Sequence, residues 1–268
     1  MSEKNFYSGK TAWITGASSG IGEALAKRLA SMGATVIISS FDIPESFRVV
    51  KEINDSGGKA AIIPFDLSNP DEVQKAAETV LSENSRVDFL FNNGGVSQRT
   101  TALDTPLEID RKLMEINYFS GIILTKKLLP RMIEQGGGHI IATSSISGIF
   151  GFPLRSAYAA SKHALHGFYE SVWTEYHDND IRTTLVCPGR VRTNISLHAL
   201  GKDGLPHGKM DAGQAQGISP EKCARKILRA VMKNRRIVLV GGKELLLARI
   251  KMYCPWLFYK LVRKIKPL

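Results

Sequence analysis

A tyrosine and a lysine four residues apart, Tyr158 and Lys162, lie on one face of a helix and reach one ligand. A free phenol has a pKa near ~10, so it exchanges protons poorly at neutral pH unless positive charge stabilises the phenolate. Lys162 is expected to supply that charge. In a partly desolvated cleft, an ammonium one turn away is expected to lower the phenol's pKa by about one or two, each worth about 1.4 kcal/mol. Ser145 precedes this helix and is placed to hydrogen-bond the substrate oxygen that Tyr158 protonates. An exposed amphipathic helix would carry the same spacing, so the rest of the chain must decide.

Positioning such a pair requires a rigid frame, and the sequence supplies alternating strand and helix signals. KTAWIT at 10–15 reads as a buried strand, the turn GASSGIG follows, and EALAKRLASMG is a helical run closed by Gly33. Gly16, Gly20 and Gly22 suit, in order, a tight turn, close backbone approach to a pyrophosphate, and close helix packing. The helix N-terminus then offers N–H groups to phosphate. A second strand, ATVIISS, ends at Ser40 and Phe41, where a dinucleotide fold reads the adenosine ribose. Neither an acid nor an arginine stands there. Asp42 just beyond is a capping candidate ahead of Pro44. With no carboxylate to repel a 2′-phosphate, the strand end favours NADP over NAD.

A helical stretch follows at 44–57, then a third strand and Asp66, which either meets the adenine amine or caps a turn. A helix near 70–84 leads to VDFLFNN, whose end, Asn92-Asn93-Gly94-Gly95, is small and polar. Residues 107–135 read as one long helical region with Asn117 in its apolar middle, where a buried amide is usually a satisfied core group. HIIATSS delivers Ser145 at a strand's carboxyl end, where open parallel sheets bind ligands. IRTTLVCPG is a sixth strand and RIVLVGG a seventh; the polar, glycine-rich segment 190–218 between them has the length of a substrate lid. Strands alternating with helices predict an α/β fold: a doubly wound parallel sheet covered on both faces.

Composition narrows the remaining choices. At 268 residues and 43% hydrophobic, the chain can bury one substantial core. The N-terminus is polar, and no stretch reaches the apolar span of about 20 residues needed to cross a bilayer, which predicts a cytoplasmic-type body. Cys187, Cys223 and Cys254 fit neither a disulfide frame nor a zinc site, and the six histidines do not pair at metal spacing; His163 and His166 lack a completing ligand. No metal is expected. The net charge of +11 is uneven: residues 221–268 hold 14 Lys+Arg against 2 Asp+Glu, the remainder 22 against 23. Such a basic tail suits an anionic membrane surface, an acidic substrate or nucleic acid.

With TGASSGIG at 15–22, NNGG at 92–95, Asn117, Ser145, Tyr158-x-x-x-Lys162 and PGRVRT at 188–193, the chain resembles the short-chain dehydrogenase/reductase family over roughly residues 8–240. The resemblance implies one Rossmann-like domain with a seven-stranded parallel sheet, assigned to residues 1–242, and NAD(P)(H) across the strand ends. It implies that Tyr158 is the general acid/base, that Lys162 holds the nicotinamide ribose and lowers the phenol's pKa, that Ser145 orients the carbonyl, and that Asn117 supports a proton-relay water. The implied nucleotide contacts are Gly16, Ser18, Ser19, Gly20, Ile21, Gly22, Asp66, Asn93, Gly94, Val191 and Thr193, with Tyr158 and Lys162. Gly94 departs from the family's usual alanine, which predicts a slightly loosened turn. The expected reaction interconverts an apolar alcohol and its ketone or aldehyde; the alternative is a scaffold that keeps the fold without turnover. Relatives are commonly dimers or tetramers, so a homo-oligomer is expected.

The segment HGKMD at 207–211 and the tail 243–268 are similar to the type-seven branch of dehydrogenase/reductases, some of which are membrane-associated. Tyr253, Trp256, Phe258 and Tyr259 between basic residues suit a membrane interface, or else a helix packed over the cleft. Nucleic-acid binding rests on the basic tail alone and is disfavoured.

Overall fold

The computed structural model describes residues 2–263. After a short helix α1 (Glu3–Tyr7), strands and helices alternate: β1 (Thr11–Thr15), α2 (Gly20–Ser31), β2 (Thr35–Ser39), α3 (Ile43–Asp55), β3 (Lys59–Ile62), α4 (Pro70–Glu83) and β4 (Phe89–Asn92). The second half continues with α5 (Leu107–Met114), α6 (Ser120–Glu134), β5 (Gly138–Thr143), α7 (Ser156–Glu175), β6 (Ile181–Pro188), α8 (Ala212–Ala215), α9 (Pro220–Met232) and β7 (Ile237–Val240). Two helices end the described chain, α10 (Leu245–Tyr253) and α11 (Pro255–Val262). Residues 264–268 of the basic tail lie outside the described residues.

All seven strands are parallel, in the order β3-β2-β1-β4-β5-β6-β7. The strand order reverses between β1 and β4, and that switch point opens a crevice at the carboxyl ends. Because a parallel sheet is covered on both faces, its central strands are buried throughout, as Phe89–Asn92 of β4 is, with a polar residue only at the carboxyl end. One core packs α2 and α9 on the sheet through Leu25, Leu29, Ile227 and Leu228; the other packs α4, α6 and α7 through Val80, Leu128 and Tyr169. The expected doubly wound fold is therefore the one observed.

Two local features add detail to the sequence reading. The helical region 107–135 is continuous but widens into a π turn at Glu115–Phe119, with Asn117 at its centre. Asp42 does cap α3: its side chain accepts from the Glu45 N–H at 3.3 Å, with Pro44 in the first turn.

The C-terminal helices form a small third cluster. Phe258 and Ala248 are buried against Ile146 and Phe150, just past β5, so α10 and α11 pack beside the carboxyl end of the sheet. Among the described residues no helix is long and apolar enough to cross a membrane.

Candidate active site

The glycine turn after β1 is built by close contacts. Gly16 has φ +62°, and a Cβ there would stand 2.6 Å from the Gly94 Cα; at Gly22 it would stand 2.2 Å from the Gly16 carbonyl oxygen. Only glycine fits either place. Asn93 stitches the turn to the sheet: its Nδ2 donates to the Thr15 and Gly16 carbonyls at 3.1 and 3.3 Å, and its Oδ1 accepts from Thr143 Oγ1. At Gly94 an added methyl would meet the Leu67 Cδ1 at 2.4 Å, so Leu67 occupies the space of the family's alanine. The expected loosening of this turn is corrected: the gap is filled by a side chain 27 positions earlier.

Above this turn lies a cavity of about 1340 Å³ that runs from Ser40, Phe41 and Asp66 past Gly16, Ser18, Ser19, Gly20, Ile21, Asn93 and Gly94 to Ser145, Tyr158, Lys162, Val191 and Thr193. Gly22 supports the turn from beneath rather than lining it. The cradle, the N-terminus of α2 and the length of the cavity fit a dinucleotide with a substrate beside it. At the ribose end Ser18 and Ser40 hydrogen-bond each other at 3.0 Å. Asp66 caps its own turn by accepting from the Ser68 N–H at 2.8 Å, and it also lines the cavity.

At the other end, Tyr158 and Lys162 are 7% and 3% exposed. The Lys162 Nζ donates to the Thr143 carbonyl at 2.8 Å and lies 5.8 Å from the centre of the Tyr158 ring. Among the described residues no carboxylate pairs with it, and burial pushes its pKa down to about 8. Burial raises the Tyr158 phenol above its ordinary value; the Ser145 hydroxyl, then Arg155, then Arg99 act the other way. The expected lowering of the phenol by Lys162 is thus corrected for the ligand-free chain. Desolvation outweighs the stabilising groups, and the lysine, its charge disfavoured by the same burial, turns toward a carbonyl.

Ser145 caps a short 3₁₀ turn, its Oγ accepting from the Ser147 N–H at 3.1 Å, and it lines the same cavity as the phenol. Asn117 is largely committed. Its Oδ1 accepts from the Val96 N–H at 2.9 Å, and its Nδ2 donates to the Val96 carbonyl and the Ser161 Oγ at 2.9 and 3.1 Å. One Oδ1 lone pair remains, and a Cβ at Gly95 would meet that oxygen at 2.7 Å and the Lys162 Nζ at 3.3 Å, so both atoms border the same small gap. The π turn is what lets this amide leave its helix and tie two elements together.

Sequence reasoning passed over Gln98, Arg99, Arg155, Asp211 and Glu244. Gln98 is fully buried, and its Oε1 accepts from the N–H groups of Ala157 and Tyr158 at 2.9 and 3.2 Å, capping the helix that carries the tyrosine. Glu244 accepts from the Arg190 and Gly242 N–H groups at 2.8 and 2.9 Å, joining the start of the C-terminal helices to the loop after β6. Burial opposes its charge, yet those N–H groups hold its carboxyl below the usual range. Neither had a sequence signal beyond being polar.

His166 Nε2 meets Ser144 Oγ at 3.0 Å and His163 Nδ1 meets the Ala159 carbonyl at 2.7 Å. Among the described residues no group of three or more His, Cys, Asp or Glu side chains is placed to hold a metal ion.

The family model for short chain dehydrogenase matches residues 10–201. The dehydrogenase/reductase SDR family member 7B of Xenopus laevis is 40% identical over 256 residues, covering 93% of this chain and 79% of that protein. A metagenomic short-chain oxidoreductase solved with NADP is 30% identical, covering 87% of this chain and 97% of that one, with a TM-score of 0.73. A Burkholderia phymatum short-chain dehydrogenase/reductase solved with NAD aligns over 100% of this chain and 98% of its own, with a TM-score of 0.84; at 24% identity that likeness speaks for the fold. These agreements extend to the type-seven branch that the tail resembled. The chain belongs to the short-chain dehydrogenase/reductase family of NAD(P)-dependent oxidoreductases.

Proposed function

We propose that this enzyme reduces an apolar ketone or aldehyde to its alcohol, or runs the reverse reaction, with Tyr158 as general acid/base. The observation that carries this reading is one cavity holding the glycine cradle at one end and the Ser145, Tyr158 and Lys162 side chains at the other. Gly16, Ser18, Ser19, Gly20, Ile21, Asp66, Asn93, Gly94, Val191 and Thr193 would hold the nucleotide, with Gly22 setting the approach of α2. Bound NAD(P)H supplies the hydride. Negative charge grows on the substrate oxygen as the hydride reaches the carbonyl carbon, and Tyr158 gives that oxygen its proton while Ser145 donates a hydrogen bond to it. Lys162 holds the ribose and, when charged, favours the phenolate left behind. Asn117 fixes Val96 and Ser161 around the lysine and keeps one lone pair for the water that returns the proton. In the alcohol-oxidising direction each proton transfer reverses.

An apolar substrate is supported by the outer wall of the cavity, to which α10 and α11 contribute Leu246, Leu247, Ile250 and Leu261. The absence of an acid at Ser40 and Phe41 supports NADP as the preferred nucleotide. A panel of apolar ketones and aldehydes, offered with NADPH and NADH in parallel and followed at the nicotinamide absorbance, tests the reading. Carbonyl-dependent loss of absorbance, faster with NADPH, is expected; no consumption of either nucleotide with any carbonyl would remove it.

We also propose that residues 1–242 are the catalytic domain and that the extension 243–268 rests on a membrane surface while its helices α10 and α11 roof the cleft. The inner face of α10 and α11 is buried on Phe150, with Lys251 turned inward to the Ile149 carbonyl, while Tyr253 and Trp256 stand 77% and 65% exposed and the exposed Lys260 lies over the Trp256 ring. Rings at headgroup depth with cations on anionic lipid suit that face. Flotation with phosphatidylserine-containing liposomes is expected for the full chain and for Phe41→Ser, and to fall about ten-fold in Trp256→Ser/Tyr259→Ser; equal flotation of all three would end the proposal. Assembly into a homo-oligomer, dimer or tetramer, belongs to the same reading, while nucleic acid does not.

A further inference from the structure

The segment after β4 and the loop between β6 and α9 meet at the substrate end of the cavity. Gln98 and Leu200 form a parallel bridge, with the Leu200 N–H donating to the Ser97 carbonyl at 2.8 Å and the Arg99 N–H to the Leu200 carbonyl at 2.9 Å. Beside this bridge three charged side chains converge. Arg99 grips Asp211 with two bonds, Nε to Oδ1 at 3.3 Å and Nη2 to Oδ2 at 2.5 Å, and Arg155 adds its Nη2 to the same Oδ2 at 2.9 Å. The side chains of Arg99, Arg155 and Asp211 are 3%, 13% and 10% exposed. Solvent screens this cluster weakly.

Two guanidinium groups share one carboxylate, so one positive charge is left over. Arg155 stands one turn before Tyr158 at the entry of α7, and Arg99 follows Gln98, which caps that same turn. Arg99, Arg155 and Tyr158 line one cavity; the other charged and titratable groups around this end are Lys162 of α7, Lys112 of α5, Arg190 and His198 of the 190–218 loop, and Lys243 and Glu244 ahead of α10, while Asp104, Lys202, Asp203 and His207 lie with Arg99 on a neighbouring surface hollow. Of these, Lys162 is turned to the Thr143 carbonyl and Glu244 to backbone N–H groups.

We propose that Arg99 and Arg155, bridged by Asp211, are positioning residues with two effects: the bridge latches the 190–218 loop across the cleft, and its surplus positive charge biases Tyr158 toward its ionised form. The direction agrees with the effect of both arginines on the phenol, where they oppose burial. The cluster joins the lid to the proton-transfer group through one carboxylate. Closing the loop brings Asp211 in and tempers the field at the phenol; opening it strips the arginines of their anion. The inference deepens the role given to Tyr158 above and rests on that reading for its consequence in turnover.

Its test needs no substrate. The tyrosinate absorbance of each protein is titrated with NAD⁺ present, and the same titration on the matching Tyr158→Phe background is subtracted, leaving the midpoint of Tyr158. Asp211→Asn is expected to move that midpoint down by about one pH unit, and Arg155→Gln to move it up by about one, with Arg155→Lys near the wild type. Tryptic cleavage at the exposed Lys202 and Lys209 of the loop is expected to accelerate about ten-fold in Asp211→Asn and Arg155→Gln. A merely structural role would speed cleavage without opposite movements of the midpoint. Midpoints that stay put, or move the same way in both variants, overturn the proposal, as does unchanged cleavage. Should Asp211→Asn fail to fold, Arg155→Gln against Arg155→Lys decides: equal midpoints overturn it. A wild type inactive on every carbonyl would sink the assigned reaction while leaving this titration readable.

Discussion

Tyr158→Phe is expected to fold and bind nucleotide like the wild type and to lose about 10³-fold in turnover. The backbone of Tyr158 is held by Gln98 and its ring is buried, so removing one oxygen leaves the helix and the cavity wall in place. What disappears is the phenolic oxygen that shares the cavity with Ser145 and Lys162. Thermal melting with and without NADPH checks folding and binding, and the nicotinamide absorbance checks turnover. Retained turnover would remove the phenol from the reaction, whereas lost nucleotide stabilisation would make it a binding group.

The second large effect concerns stability. Lys162→Met is expected to abolish turnover and yet make the ligand-free protein more stable at pH 7. Burial takes the Lys162 amine from 10.5 to about 8, so at neutral pH the folded chain carries a desolvated ammonium without a counter-charge. That shift corresponds to roughly 3 kcal/mol, and the lost hydrogen bond to the Thr143 carbonyl returns about 1 kcal/mol of it, leaving a net gain of about 2 kcal/mol. The pH dependence has a definite sign. Between about 8 and 10.5 the unfolded chain binds this proton and the folded chain does not, so wild-type stability rises with pH across that window. Below 8 the penalty is fully present. Urea titrations at pH 7 and pH 10 are expected to show the advantage of Lys162→Met shrinking as pH rises; an advantage unchanged by pH would point to packing instead.

Much of this arrangement could be read from the chain because it depends on short-range rules. The turn from Gly16 to Gly22 needs positive φ and missing Cβ atoms, and Tyr158 and Lys162 share a face through helical spacing alone. Alternation of strands and helices gave the sheet, since a crossover helix between parallel strands leaves a periodic trace. The π turn at 115–119 left no such trace: it is sustained by Asn117 bonding to Val96 and Ser161, one of them 44 positions away. The Arg99–Asp211 contact joins residues 112 apart and was invisible for the same reason. Where the reading of the phenol's acidity missed, it missed in direction, because the burial of Tyr158 and Lys162 cannot be judged from spacing. The alanine-sized space at Gly94 is likewise closed from elsewhere, by Leu67.

The proposed chemistry makes one phenol responsible for one proton while hydride moves, and pH-resolved single turnover isolates that step. Enzyme loaded with NADPH is mixed with the best ketone of the panel, and the decay of nicotinamide absorbance is followed across pH for the wild type and Tyr158→Phe. The wild type should slow as pH rises through the titration of a phenol, since reduction requires it protonated, and Tyr158→Phe should keep only a slow decay without that limb. A variant that decays at the wild-type rate with the same limb would contradict the account.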